Sequence, residues 1–522
     1  MSIKNGYKIY RDEQEDLLET KKTNHLIFFM FLIIIILVPL AAKLHGVNHV
    51  SPIITEEPIL SSGEKGNIFS YYKFFILVAV TIFISLAFLY KVLVLKNNIL
   101  KSKINIYIGT MVVFVALSTL FSNAKIISLF GMYDRHEGSI TYLCYFFLFY
   151  IALNIQVEEK KKELIFWSLV PFVIINFALG LLNLWNINIL NKPFIQKMVY
   201  GELPEGATIR EGSFIITTLG HGNYLSGTSA MITVIFLILF ILSNSLSKKI
   251  IYGILTILSF ATLITSLSSS GFVTTLSMIP IVVIMVLYRA DKKLKIIRDF
   301  SIMSISFLLI IFIFSKIQPR VWDETIGLII KQNPFQVSVE SFKGIPKELS
   351  IFSISEVDAS NASDFTPPEL PEAGVAAGTG RVYIWEKTIE LIKNRPIFGY
   401  GLDTFAYYFN QDDPQKHANL NEGYSVIVDK PHNIYLNLAY GAGVITLIGF
   451  LTLIINYVKS IIRVVKTINM NTVALVCGCL AYLFQGMFND STIGAGVIFW
   501  ILFGLSFNSL LILEANRKEA DI

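Results

Sequence analysis

The sequence predicts an all-α polytopic membrane protein of about twelve transmembrane helices, and three observations carry that expectation. First, the apolar residues are gathered in blocks of 17 or more with almost no charge. That is the length a helix needs to cross ~30 Å of hydrocarbon. Second, 54% of the 522 residues are hydrophobic and only 16% are charged, with a mean hydropathy of +0.61; soluble domains carry about 25% charged residues. Third, lysine and arginine favour alternate connecting segments, as the positive-inside rule requires of a multi-pass protein.

The spans read, in order, at approximately 26–42, 72–94, 104–121, 140–156, 164–184, 223–243, 250–267, 271–288, 300–316, 434–457, 471–487 and 493–513. With a cytoplasmic N-terminus, the inner segments hold 24 Lys+Arg and the short outer ones 8, counting Lys91 and Lys73 at the span ends. Both termini are therefore expected in the cytoplasm. The organisation that follows is a tail (1–25), nine spans (26–316), a large outer loop (317–433), three spans (434–513) and a short tail (514–522). The first apolar block follows a long charged tail and lacks a small-residue cleavage site, so it reads as a retained helix rather than a signal peptide. The runs "EEKKKE" and "RADKKLKIIRD" read as inner-loop charge, not as a nucleic-acid surface. Cys144, Cys477 and Cys479 all fall in apolar blocks, and the last two point to different helix faces, so neither disulfides nor zinc are indicated.

Residues 43–71 read as a loop without further signal. The loop 317–433 is 117 residues long, and a connection of that length is expected to do something. Its stretch 350–380 is small, acidic and Pro-rich, which predicts a mobile segment. The following "GRVYIWEKTIELIKNRP" predicts a helix over 382–395, with an apolar stripe at Ile384, Trp385, Thr388/Ile389 and Ile392, ended by Pro396. "FGYGLDTF" then reads as a glycine-hinged turn leading to His432.

The distinctive polar residues all lie on the predicted outer side: Arg135 with His136 and Glu137, Arg210 with Glu211, His221 with Asn223, Arg381, and His432 with Asn433. Three arginines on three loops suit an anion, because guanidinium forks match phosphate oxygens. Taken singly, each is equally compatible with interfacial snorkelling or a local salt bridge. His432 stands open in the same way between a polar residue at a helix start and a catalytic base. His221 and Asn223 are compatible with helix capping as well as sugar contact.

The combination narrows these alternatives through a resemblance. "GTGRVYIWEKTIELIKNRPIFGYGLDTF" resembles the G-R-x3-W…P-x-x-G-x-G pattern of the O-antigen ligase and polymerase superfamily of bacterial membrane glycosyltransferases. "KPHNIYLNLAYGAGVITLIGF" resembles that family's H-N-x-Y/F-L…G-x-x-G segment, with His432, Asn433 and Tyr435 in its matching positions. "FGMYDRHEGSITYL" resembles the motif after the third span in Gram-positive-type members, and "REGSFIITTLGHGNYLSG" the Arg-containing loop before the sixth. "SLSSSGF" departs from the family's Ser-Arg-Gly break, because Ser270 stands where the arginine is expected.

The resemblance implies a GT-C-type fold and a polyprenyl-diphosphate-linked oligosaccharide donor. It implies transfer to a glycan hydroxyl acceptor on the outer face of a bacterial cytoplasmic membrane, without metal or other cofactor. Arg210 and Arg381 match the family's essential arginines and His432 its essential histidine; Arg135, Asn433, His221, Asn223 and Tyr435 are weaker substrate-binding candidates. Membrane lipid and polysaccharide-assembly proteins are the further partners implied. The expected product is a cell-surface polysaccharide such as capsule, O-antigen-like or teichuronic-type polymer. Polymerase is favoured over ligase because "YDRHEG" resembles Gram-positive members. A transporter or flippase for lipid-linked glycan predicts paired halves and mid-membrane ionisable groups, for which the sequence offers no convincing match.

Overall fold

In the computed structural model, the described residues are 13–201, 217–289, 293–335, 370–374, 379–420 and 426–520. Arg210 and Glu211, and most of the expected mobile segment, lie outside them. The chain is an all-α membrane protein. Among the described residues, ten helices are long and apolar enough to cross a bilayer: α1 (Glu13–Leu40), α2 (Tyr71–Leu89, continued by a π turn), α3 (Ile104–Phe121), α6 (Glu159–Leu184), α8 (Gly222–Leu242), α9 (Leu246–Thr265), α10 (Ser269–Leu287), α11 (Lys293–Ile317), α17 (Val444–Val464) and α19 (Ile493–Ala520). Two shorter apolar helices, α5 (Ser139–Asn154) and α18 (Met470–Gln485), occupy the other expected positions.

Helix α8 is apolar on every side and buried almost throughout, which is the signature of a central helix. It packs against α9, α10 and α18, while α5 lies along α19 and α3 along α17. Small residues bring these helices together, since lipid supplies no hydrophobic drive between them. A Cβ at Gly271 of α10 would stand 2.4 Å from Ser226 O, and one at Gly478 of α18 would stand 2.6 Å from Ile235. Two hydroxyls inside α8 are satisfied along the helix: Thr228 donates to Tyr224 O at 2.8 Å and Thr233 to Ser229 O at 2.7 Å.

The connecting segments are more structured than expected at one end of the bundle. Residues 43–71 contain an antiparallel pair, β1 (His45–His49) and β2 (Gly63–Asn67), instead of a plain loop. Short helices α4 (Lys125–Phe130) and α7 (Pro193–Val199) also belong to the connections. The large loop contains α12 (Arg320–Asp323), α13 (Arg381–Asn394), α14 (Phe405–Tyr408) and α15 (Pro414–Asn419). Helix α13 lies within one residue of its expected range. Its buried face, though, is Tyr383, Ile384 and Thr388, and Ile389 is exposed. Tyr383 and Ile384 pack with Tyr400, Phe405, Phe409, Val428 and Tyr440 in a small separate core.

The expected single span at 434–457 is two helices. α16 (Ile434–Ala442) stops at Gly443, and the crossing helix α17 begins only at Val444. The cause lies in Pro396–Gly401, which runs against the end of α16. Tyr400 N donates to Tyr440 O and Gly401 N to Gly441 O, both at 2.9 Å, and Val444 N donates to Pro396 O at 2.8 Å. Gly443 has φ +85°, and a Cβ there would stand 1.9 Å from the Ile397 carbonyl oxygen. A side chain at that position costs about 1–3 kcal/mol in backbone strain alone. Gly443→Ala is expected to lower the thermal unfolding temperature of the detergent-purified protein. Gly109→Ala, on an open helical face with nothing within 4 Å, is expected to leave it unchanged or raise it slightly.

Candidate active site

The segment 428–433 is held from four directions. Lys430 is buried and ion-paired with the buried Glu137. Asp429 pairs with Arg135, whose Nε also donates to Asp403 Oδ1 at 3.0 Å. Asp403 Oδ2 in turn accepts from Met132 N at 2.8 Å and Glu137 N at 3.2 Å. From α13, Trp385 Nε1 donates to Pro431 O at 2.8 Å. Asn433 then caps α16, its Oδ1 accepting from Tyr435 N and Leu436 N, while its amide donates to Met487 O at 3.0 Å.

These ties hold His432 in the left-handed region, φ +51°. Asp403 (φ +60°) and His136 (φ +55°) share that conformation. Non-glycine residues persist there only where surrounding contacts over-determine the backbone, and such strain concentrates at functional sites.

His432 Nδ1 lies 2.7 Å from Oδ2 of Asp490, whose side chain is fully buried. Nε2 has no partner among the described residues and about a third of the side chain is exposed, so that nitrogen is the open face of the ring. Burial by itself lowers the imidazole pKa; the Asp490 carboxylate, seconded by Asp429, outweighs both burial and the opposing Arg381, and the net shift is upward. Asp490 was not among the residues expected from sequence. A signal was present: it is the only charged residue between Lys466 and Glu514.

Arg381, at the first position of α13, makes no hydrogen bond or ion pair within the described residues. Burial lowers its pKa, while Asp490 and Glu324 act across longer distances to raise it. A half-buried guanidinium with unengaged donors beside a His–Asp pair is ready for an anionic group.

The other expected residues are placed differently. Arg135 is spent on Asp403 and Asp429, and is nearly buried. Tyr435 donates to Leu483 O at 2.7 Å, joining α16 to α18. His221 caps α8 by accepting from Asn223 N at 3.1 Å, and Asn223 accepts from Ser268 Oγ at 2.7 Å, joining α8 to the turn before α10. Each of these side chains therefore has a structural engagement, whereas His432 Nε2 and Arg381 have none among the described residues.

Residues 254–451, from within α9 to within α17, match a family described as O-antigen ligase. A Rickettsia conorii protein provisionally named a polysaccharide ligase is 27% identical over 317 residues, which span 54% of this chain and 72% of that protein. Over that stretch the chain is similar to the O-antigen ligase family. The matched stretch contains Arg381 and His432; Asp490 lies beyond it, brought back to the histidine by the packing of α16 against the α18–α19 turn, where Ile434 N donates to Gly486 O at 2.8 Å.

Two outcomes follow. Lys430→Met is expected to destabilise the protein by about 3–5 kcal/mol, because it leaves Glu137 buried and unpaired, and Lys430→Met with Glu137→Leu to recover most of that loss; a thermal-unfolding double-mutant cycle measures it. The second concerns pH. The His432 pKa is raised in the folded state, so the stabilisation from the Asp490 pair is fully present below the unfolded histidine value. It fades as pH rises through the folded one. The melting-temperature gap between wild type and Asp490→Asn is accordingly expected to be larger at pH 6 than at pH 9.

Proposed function

We propose that this protein transfers a polyprenyl-diphosphate-linked oligosaccharide to a glycan hydroxyl on the outer face of the cytoplasmic membrane, extending a cell-surface polysaccharide. The single observation that carries the reading is the pairing of His432 with Asp490 beside an arginine, Arg381, whose donors are unengaged among the described residues. The Asp490 carboxylate stands at Nδ1 and leaves Nε2 as the open nitrogen to act as the base, the logic of a carboxylate-oriented imidazole.

In the reaction, the acceptor oxygen attacks the anomeric carbon as its proton passes to His432 Nε2. The bond from that carbon to the diphosphate oxygen breaks, and negative charge grows on the departing diphosphate. Arg381 stabilises that charge, and Arg210 is assigned the same task on the strength of its matching motif. The acceptor is expected to be the growing chain still carried on lipid, which makes the enzyme a polymerase. The ligase reading, transfer to a separate lipid or protein acceptor, is favoured by the name of the Rickettsia relative.

Purified protein supplied with a polyprenyl-diphosphate oligosaccharide is expected to yield longer lipid-linked chains in the presence of a chelator. His432→Ala, Arg381→Ala and Arg210→Ala are each expected to lower the rate at least about a hundredfold. Full activity in all three variants would refute the assignment, and product formed only on adding a separate acceptor would make the enzyme a ligase. The rate should rise with pH through the imidazole's raised pKa, because only neutral His432 accepts a proton. Asp490 and Asp429 hold that value up and Arg381 opposes them, so Asp490→Asn should move the limb to lower pH while slowing the plateau.

A further inference from the structure

Next to the His432–Asp490 pair the bundle end encloses a second feature, a cavity of about 60 Å3. It is lined by Phe69, Ser70, Lys73, Asp134, Arg135 and Glu137, and by Leu219, Tyr224, Lys430 and Thr492–Gly494. Lys430 is two residues before His432 and Thr492 two after Asp490, so the cavity adjoins the site. Arg381 is not part of its lining.

The polar groups of this lining are unevenly satisfied. Its cations are engaged: Lys430 with Glu137, Arg135 with Asp403 and Asp429, and Lys73 with the carbonyls of Ala41 and Thr218. The spare capacity is on acceptors and hydroxyls. Among the described residues, Glu137 Oε1, Asp134 Oδ1 and Thr492 Oγ1 are buried with no hydrogen-bond partner, although Asp134 Oδ1 stands 3.8 Å from Arg135 Nε. The Tyr224 hydroxyl also makes none within the described residues. Buried carboxylate oxygens without donors disfavour an anion and call for a neutral ligand that donates hydrogen bonds. Phe69, Leu219 and Ile493 add apolar wall. A cavity of this size holds roughly four waters, at ~10–15 Å3 each.

We infer that this cavity is a sugar subsite, which receives the hydroxyl-bearing edge of the acceptor residue and so presents its reacting hydroxyl to His432. Glu137, Asp134 and Thr492 accept from or exchange hydrogen bonds with ring hydroxyls, Tyr224 donates to one, and the apolar walls meet the C–H face. The inference rests on the glycosyl-transfer reading above and adds where the acceptor sits.

The test uses the full-length protein in nanodiscs with two conservative variants, Thr492→Val and Tyr224→Phe, neither of which leaves a buried charge unpaired. Each is expected to raise the acceptor KM roughly three- to tenfold, more than any change in donor KM, and Thr492→Ser is expected to restore it. A direct readout accompanies the kinetics: oligosaccharide released from the lipid-linked repeat by mild acid should bind wild type in calorimetry, and bind both variants more weakly. Unchanged acceptor KM and unchanged oligosaccharide binding in both variants would overturn the subsite and leave the cavity as a holder of structural water. So would a wild type that fails to bind the oligosaccharide. The donor reading is judged separately by whether Arg381→Ala abolishes binding of the lipid diphosphate, so the two can fail independently.

Discussion

The geometry at this bundle end depends on a buried ion network that pins one six-residue segment. Arg135 with Asp403 and Asp429, and Lys430 with Glu137, connect the α3–α5 connection, the turn before α14 and the approach to α16. Burial drives the Glu137 carboxyl up to about 7 against the pull of Lys430. It also opposes the Lys430 charge, which Glu137 more than compensates. Such pairs contribute little net stability over an apolar core, but breaking one leaves a stranded charge. Their value here is positional: they over-determine the backbone on both sides of His432 and keep it in a left-handed conformation that would otherwise relax.

The glycine pattern serves the same end by other means. Gly399, Gly401 and Gly443 all have positive φ, and a Cβ at any of them would strike backbone or a serine hydroxyl. Their absence of side chains lets Pro396–Gly401 lie flat against α16 and separates that short helix from the crossing helix α17. His432 consequently opens a nine-residue helix at the bundle end rather than the membrane span itself. It is held between α13, which supplies Arg381 and the Trp385 bond, and the α18–α19 turn, which supplies Asp490.

Different residues were legible to different degrees. The apolar blocks announced their helices because the length of a membrane crossing leaves a compositional trace that no packing detail can erase. His432 and Arg381 were visible because their motifs combine rare residue types with glycines. Arg135, Asn433, His221, Asn223 and Tyr435 were visible as polar residues, but their engagements were not: capping, inter-helix bonding and ion pairing use the same side chains that substrate binding would. Asp490 stood alone in a long uncharged stretch, yet nothing in that stretch says which histidine it meets, because the contact joins residues 58 positions apart in the chain.

The sequence by itself determined the class of protein, the order of its membrane helices and the helix at 381–394, since each follows from composition and periodicity over neighbouring residues. Tertiary structure alone decided the break at Gly443, the burial of Arg135 among carboxylates, the partnership of His432 with Asp490, and the polar cavity beside them. Each of those is a contact between distant segments, set by how closely helices can approach and by where a buried charge finds its counter-charge. Local sequence encodes neither.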